Sequence, residues 1–330
     1  MVKNLWKKMS LGMLALAAVI AVSGCGDKAA SPSPTPAATA PATQAPAKKT
    51  TYPLTVKDAT GKDVTFEKAP ERIVSVSPAE TEALYAIGLG DKIVGVSDYD
   101  TYPAEAKSKP KMGSIMKPNV EAVIGAKADV VFTGISMKAA TVEELRNVGV
   151  KMFKVEPKTL DDVMNNILLY GKITDKQEQA EKVVNKMKQD RQKVADAVKS
   201  VKPEAKKKVY LEFSPGWTVG GGEFLDELIQ IAGAVNVASE AGVKGWSKVD
   251  EELIIKNNPN VILFAKGLID DQTKKTLEAI ISERKGWSQM DAVAKKQMFG
   301  VDNDLISRPG PRLTDALLEI AKAIYPDLVK

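Results

Sequence analysis

Arg72-Ile73-Val74-Ser75-Val76-Ser77-Pro78-Ala79-Glu80-Thr81-Glu82 is the stretch that decides the fold. A short β-rich run over 72–76 passes directly into a helix start. Ser77 is placed to cap the free amides, Pro78 suits the first helical position, and Glu80 stands where a capping box puts its acid. Ala83, Leu84 and Ile87 then recur on one face, and Gly88 and Gly90 end the helix. The same rhythm runs outward: strand 92–96, short helix 120–124, strand 129–132, helix 142–148 and strand 151–155. Upstream, 51–66 alternates loosely around Ala59-Thr60-Gly61-Lys62 and reads as a hairpin or a pair of short strands.

Segment 160–201 is mostly helical, in two parts interrupted near Gly171-Lys172-Ile173-Thr174-Asp175, where Thr174 or Asp175 can cap the second part. The strand-helix rhythm then restarts with strand 208–213, a glycine-rich loop 215–222 and helix 224–231. Helix 250–255, strand 261–264, a segment 293–299 leading to another strand, and the terminal helix 312–325 follow. One echo relates the halves. Asn119-Val120-Glu121-Ala122-Val123-Ile124 leads to Asp129-Val130-Val131-Phe132, and Glu251-Glu252-Leu253-Ile254-Ile255 leads to Asn260-Val261-Ile262-Leu263 at the same spacing. Alternating short strands and helices predict parallel sheets covered on both faces. The expected fold is therefore α/β: two Rossmann-like lobes with parallel central sheets, joined by a long helix, with a ligand cleft between them at the strand ends. The expected organisation is a leader over 1–24, a tether over 25–50, one lobe over 51–159, the linking helical segment over 160–201 and a second lobe over 202–330.

The N-terminus carries a separate signal. Lys3, Lys7 and Lys8 precede an apolar run over 11–22 that is short for a membrane span, and then comes Val22-Ser23-Gly24-Cys25. This resembles the lipobox of bacterial lipoproteins, in which the cysteine is lipidated and becomes the mature N-terminus. The resemblance implies a protein lipid-anchored at Cys25 on the extracytoplasmic face of the membrane. The Ala/Pro/Ser/Thr composition that follows cannot bury enough surface to fold and reads as a tether. Cys25 is the single cysteine, so no intramolecular disulfide is possible, and the remaining length can bury a sizeable core without one. There is no histidine. That excludes Ser-His-Asp and Cys-His centres and imidazole metal ligands. The net charge of +5 includes the three leader lysines, and no dense basic patch with interleaved aromatics points to nucleic acid.

From 56 to 325 the chain resembles the substrate-binding lipoproteins of ABC importers for vitamin B12, ferric siderophores and haem. The resemblance is carried by Pro70-Glu71-Arg72-Ile73-Val74, Ser77-Pro78-Ala79-Glu80-Thr81-Glu82, Gly88-Leu89-Gly90 and Val94-Gly95-Val96-Ser97-Asp98-Tyr99. It continues in Tyr102-Pro103, Pro118-Asn119-Val120-Glu121, Ala128-Asp129-Val130-Val131, the 224–236 region and Arg308-Pro309-Gly310-Pro311-Arg312. It implies two α/β lobes bridged by a helix, a ligand in the cleft, no enzyme activity and no cofactor of the protein's own. The implied partners are a permease dimer with its cytoplasmic ATPase, the membrane through Cys25, and one large small-molecule ligand; the protein is expected to be a monomer that binds no nucleic acid. Cobalamin or a related corrinoid is the first expectation, a ferric siderophore the second and haem the third.

The resemblance also implies one surface glutamate on each lobe that docks on the permease. Glu121 matches the first by its motif. Glu223, after Gly220-Gly221-Gly222, is the preferred second, with Asp226 and Glu227 as neighbours. First-turn acids also stabilise helices without docking anything. The expected ligand contacts are Tyr99, Tyr102, Trp217 and Trp246, read as loop aromatics, with Arg308 and Arg312 flanking a stiff Pro-Gly-Pro turn. An arginine there can instead close the helix start or pair with an acid across the lobe. Trp287 reads as packed structure. B12 binders of this type carry tryptophans on the first lobe that are absent here, so Met116 or Met137 would supply that apolar contact. Asp98 and Asp100 could suggest acid-base chemistry, but a capped, solvated loop explains them better.

Overall fold

The computed structural model describes residues 48–330. The expected leader, Cys25 and the tether up to residue 47 lie outside the described residues. The described chain opens with an antiparallel hairpin of Leu54–Lys57 (β1) and Asp63–Phe66 (β2). Asp58 closes its turn by accepting from Thr60 N and Oγ1 at 2.8 and 2.6 Å.

The first lobe follows the expected alternation. Its strands are Ile73–Ser75 (β3), Ile93–Val96 (β4), Val130–Thr133 (β5) and Met152–Lys154 (β6), and its helices are Pro78–Ala86 (α1), Val120–Gly125 (α2) and Ala139–Asn147 (α3). The strands form an all-parallel sheet in the order β4-β3-β5-β6. Period-2 alternation sorts the side chains to opposite faces. Ile73, Val130, Phe132 and Phe153 enter the main core, whereas Val74, Val131 and Met152 join a second cluster with Val123, Val142 and Leu145. Helix α1 starts at Pro78 as its sequence requires, but the capping box is not made. The Ser77 side chain caps nothing, and Glu80 is turned inward, 3% exposed. Gly134 leaves room for it: a Cβ there would stand 2.5 Å from Glu80 Oε2.

Two helices lead to the second lobe, Leu160–Ile173 (α4) and Gln177–Val198 (α5). A Thr159/Asp162 capping box starts α4. Neither Thr174 nor Asp175 caps α5. Thr174 Oγ1 donates to Tyr170 O, and Asp175, at φ 57°, accepts from Thr50 N. Gly171 lets α4 and α5 approach closely, since a Cβ there would meet Ala180 Cβ at 2.5 Å.

The second lobe contains Lys208–Ser214 (β7), Trp217–Val219 (β8), Phe224–Ile231 (α6), Val235–Asn236 (β9), Val237–Glu240 (α7), Trp246–Lys248 (β10) and Glu251–Asn257 (α8). Val261–Lys266 (β11), Leu277–Ser282 (α9), Asp291–Ala294 (α10), Met298–Asp302 (β12), Asn303–Ser307 (α11) and Leu313–Ile324 (α12) complete it. Its sheet is mixed, which corrects the expectation of two parallel sheets. Strands β9, β7, β11 and β12 are parallel, but β8 turns back antiparallel on β7 and β10 pairs antiparallel with β8. Gly216, at φ 74°, makes the reversal possible. Trp217 and Trp246 therefore sit on short strands at one side of the sheet, β10 at its edge and β8 next to it, rather than in loops. Trp287 is fully buried, edge-on to Tyr210 at 5.5 Å. One continuous core runs from Leu54 to Val329 through α4, α5 and both lobes.

The bilobed arrangement is closed by a buried ion triad. Glu82 of α1, in the first lobe, is 3% exposed. It accepts from Arg308 Nη1 at 2.9 Å and from Arg312 Nε and Nη2 at 2.8 and 2.7 Å, both from the second lobe. Beside it, Gly310 approaches α1 so closely that a Cβ would lie 3.0 Å from Ala79 O. Removing one member of a buried ion pair leaves uncompensated charge, at a cost of about 3–5 kcal/mol. Glu82→Ala is therefore expected to lower stability by that order in urea denaturation, and Arg312→Lys by less, because lysine keeps the charge and loses the fork.

Candidate functional site

Two cavities meet between the lobes. One, of about 350 Å³, is polar: Ser77, Glu80, Asp98, Tyr99 and Thr101 face Asp304, Ser307 and Arg308. The other, of about 550 Å³, is walled by Phe213, Trp217, Phe224 and Trp246, with Glu156, Lys158 and Glu223 among its polar groups. Ile135, Ser136 and Ser307 border both, so the two are compartments of one cleft. The aromatic wall is built by the β8–β10 pairing, in which Trp246 lies opposite Val219 and Lys248 opposite Trp217. Trp246 is braced edge-on by Phe213 at 4.8 Å and by the tilted ring of Phe224 at 5.6 Å, while Trp217 is 39% exposed.

The residues singled out in the sequence divide between the cleft and its surroundings. Tyr99 lines the polar compartment, and Trp217 and Trp246 line the aromatic one. Arg308 borders the polar compartment, but its guanidinium is engaged by Glu82, by Thr101 Oγ1 at 2.7 Å and by Asp304 at 2.8 Å. Arg312 and Tyr102 are not among the residues lining either compartment. The Arg312 fork is taken by Glu82, and its flat face covers the Tyr102 ring at 4.0 Å. Met137 is buried in the first-lobe core and Met116 is 61% exposed; neither lines either compartment.

The acids expected at the surface are placed differently on the two lobes. Glu121 is exposed in the first turn of α2, which Asn119 caps by accepting from Ala122 N, and Val120 and Ile124 are exposed beside it. Glu223 is 7% exposed, accepts from Lys158 Nζ at 2.8 Å and lines the aromatic compartment. Asp226 is held by Gln230 and Asn236, and Glu227 accepts from Leu160 N at 2.6 Å. The echo between the halves points to another acid. Helix α8 is capped by Asp250, which accepts from Leu253 N as Asn119 does from Ala122, and it precedes the buried strand β11 as α2 precedes β5. Counted from the cap, Glu252 is the counterpart of Glu121, exposed and followed by the exposed Ile255. The repeat was the signal that could have found it.

Glu80 has no counterpart among the expected site residues. Burial, opposed by the Ser77 hydroxyl and reinforced by Asp100, pushes its pKa up to about 7. Burial also raises Asp100, whose Oδ2 accepts from Ser97 N at 2.8 Å, and raises the Tyr170 phenol well above its ordinary value, with Glu80 adding to the effect. Glu80 Oε2, Asp100 Oδ1, Thr133 Oγ1 and Tyr170 Oη make no hydrogen bond. Among the described residues, no group of three or more Cys, Asp or Glu side chains is arranged to hold a metal ion.

A sequence profile described as "Periplasmic binding protein" matches residues 73–305. A Bacillus subtilis protein described as an uncharacterized ABC transporter substrate-binding lipoprotein is 33% identical over 98% of this chain and 99% of its own. A cobalamin-binding protein of Halobacterium salinarum is 27% identical over 83% of this chain and 74% of its own. Among solved structures, a possible iron-binding, periplasmic solute-binding protein from Staphylococcus epidermidis superposes with a TM-score of 0.66 at 31% identity, over 78% of this chain and 100% of that one.

Glu80 also makes stability depend on pH. Its carboxyl is neutral in the fold up to about pH 7 and ionises in the unfolded chain near 4.5. Its contribution is thus fully present below 4.5 and is lost as pH rises through about 7. Glu80→Gln, which fixes a neutral isostere, is expected to match wild type near pH 4 and to be more stable near pH 8, by up to about 3 kcal/mol. Chemical denaturation at the two pH values measures the difference.

Proposed function

The chain belongs to the periplasmic binding protein family, and from that premise we propose that it captures cobalamin or a related corrinoid and delivers it to an ABC permease. At the coarser level it is a non-enzymatic, extracytoplasmic substrate-binding protein of an ABC importer, for a corrinoid or metal-chelate type of ligand. The observation that carries the finer reading is the aromatic compartment, in which Trp217 and Trp246 offer flat apolar surface beside a donor- and acceptor-bearing polar one. Corrinoids combine a flat macrocycle with peripheral amides and suit that division. The Halobacterium salinarum relative is described as a cobalamin-binding protein. A ferric siderophore is the second reading, supported by the possible iron-binding protein of Staphylococcus epidermidis.

The rest of the proposal concerns delivery. The chain is anchored through a lipid on Cys25, with 51–159 and 202–330 as the lobes and 160–201 as the link. Among the described residues no helix is long and apolar enough to cross a membrane. Glu121 on the first lobe and Glu252 on the second dock on the permease, each an exposed first-turn acid beside exposed apolar side chains. Glu252 replaces Glu223 in this role because Glu223 is buried against Lys158.

Calorimetry and tryptophan fluorescence with cyanocobalamin, ferrichrome and haemin test the ligand. Cyanocobalamin is expected to bind and to quench fluorescence. Trp217→Ala and Trp246→Ala are each expected to weaken binding by about 2 kcal/mol, whereas Trp287→Ala should lower stability instead. Affinity for ferrichrome alone would select the second reading. In proteoliposomes, Glu121→Lys with Glu252→Lys is expected to abolish stimulation of transport while leaving ligand affinity unchanged, since such rim charges act on partner encounter. Wild-type transport by the double variant would leave both acids as helix stabilisers.

A further inference from the structure

Among the described residues, two cations line the cleft, and only one of them is fully engaged. Arg308, on the polar compartment, gives its guanidinium to Glu82, Thr101 and Asp304. Lys158, on the aromatic compartment, keeps donors in hand. Its side chain is 46% exposed, and its ammonium donates to Glu223 Oε1 at 2.8 Å. An ammonium carries three N–H donors. Among the described residues Lys158 Nζ makes no other hydrogen bond, so two donors remain for whatever occupies the cavity.

The position of this ammonium is built from both sides. The backbone of Lys158 is set by the start of α4: Lys158 N and Thr159 N both donate to Asp162 Oδ2 at 3.0 Å. Opposite it, Glu223 is the residue from which α6 of the second lobe begins. Leu160 N donates to Glu227 of the same helix at 2.6 Å, so two contacts hold the start of α4 against the first turn of α6. A group fixed in this way is preorganised for a ligand. Glu156, the other acid on the compartment wall, does not compete for it, because Glu156 is paired with Lys154 at 2.5 Å. Each acid here has its own ammonium, and the compartment offers donors without an excess of negative charge.

We propose that Lys158 is a specificity-determining residue of the cleft: Glu223 holds its ammonium in place, and the remaining N–H groups donate to an oxygen acceptor on the rim of a ligand lying against Trp217 and Trp246. The inference rests on the cleft being the ligand site. It narrows the ligand to one that bears amide carbonyl, phosphate or carboxylate oxygens at the edge of its flat face. A cationic rim is disfavoured. Lysine suits the task because a compact ammonium accepts oxygens in several geometries, where a guanidinium fork demands one.

Calorimetry on the purified full-length protein tests this with cyanocobalamin, dicyanocobinamide, ferrichrome and haemin. Lys158→Met keeps the stem and removes the donors, but it also leaves the buried Glu223 unpaired and lowers stability. The decisive comparison is therefore made in Glu223→Gln, which has no charge to leave unpaired. Adding Lys158→Met to Glu223→Gln is expected to weaken binding about tenfold, the scale of a hydrogen bond from a charged group. Urea denaturation is expected to show the double variant more stable than Lys158→Met alone. Dicyanocobinamide keeps the corrin amides and lacks the phosphate. An equal loss for both corrinoids identifies an amide oxygen as the group read, and a loss confined to cyanocobalamin identifies the phosphate. If none of the four compounds binds wild type, the functional reading and this inference fall together. If one binds, and the double variant binds it as tightly as Glu223→Gln does, Lys158 only neutralises Glu223; the inference falls and the functional reading stands.

Discussion

Glu82 is the constraint on which the cleft depends. A carboxylate at 3% exposure must be paired, and both of its partners, Arg308 and Arg312, come from the other lobe. The charge can be satisfied only when the lobes stand in this relation. Pro309-Gly310-Pro311 fixes the two arginines on either side of it, and the missing side chain of Gly310 lets that loop lie against α1. Separating the lobes would expose one buried carboxylate and release two guanidiniums at once, while the core shared through α4 and α5 resists the same motion. The cleft is consequently a preformed space with a defined width.

Its two compartments follow from different structural sources. The aromatic one exists because the second sheet reverses direction at Gly216 and adds two short antiparallel strands, β8 and then β10 at the edge, which put Trp217 and Trp246 on one wall. The polar one lies where the first turn of α1, the loop after β4 and α11 converge. Because the triad neutralises Arg308, the acids around it are left to set the character of that end. The arginines expected to hold an anionic ligand instead hold the lobes.

The order of elements in the first lobe was legible because each strand there ends in a turn or helix signal the chain states locally, as at Val76-Ser77-Pro78. The mixed second sheet was not. Trp217-Thr218-Val219 and Trp246-Ser247-Lys248 are three-residue strands amid glycines, too short to show a period, and only their pairing with each other defines them. Glu80 was misread for a related reason. Ser-x-x-Glu is a capping signal in one dimension, and nothing in the local sequence says that Gly134, far along the chain, opens a place for that side chain. The buried position of Glu223 depends likewise on Lys158, from the segment before α4. By contrast, the matching caps of α2 and α8 were written in the repeat itself, so the Glu121–Glu252 correspondence could be read from sequence.

The most direct test of the whole account is a pair of crystal structures, one empty and one grown with cyanocobalamin. The corrin is expected against Trp217 and Trp246 with its amide edge in the polar compartment, the Glu82 triad intact in both, and the lobes rotated by well under roughly 20°. A ligand outside the cleft, or a larger rotation that breaks Glu82 from Arg308 and Arg312, would contradict it.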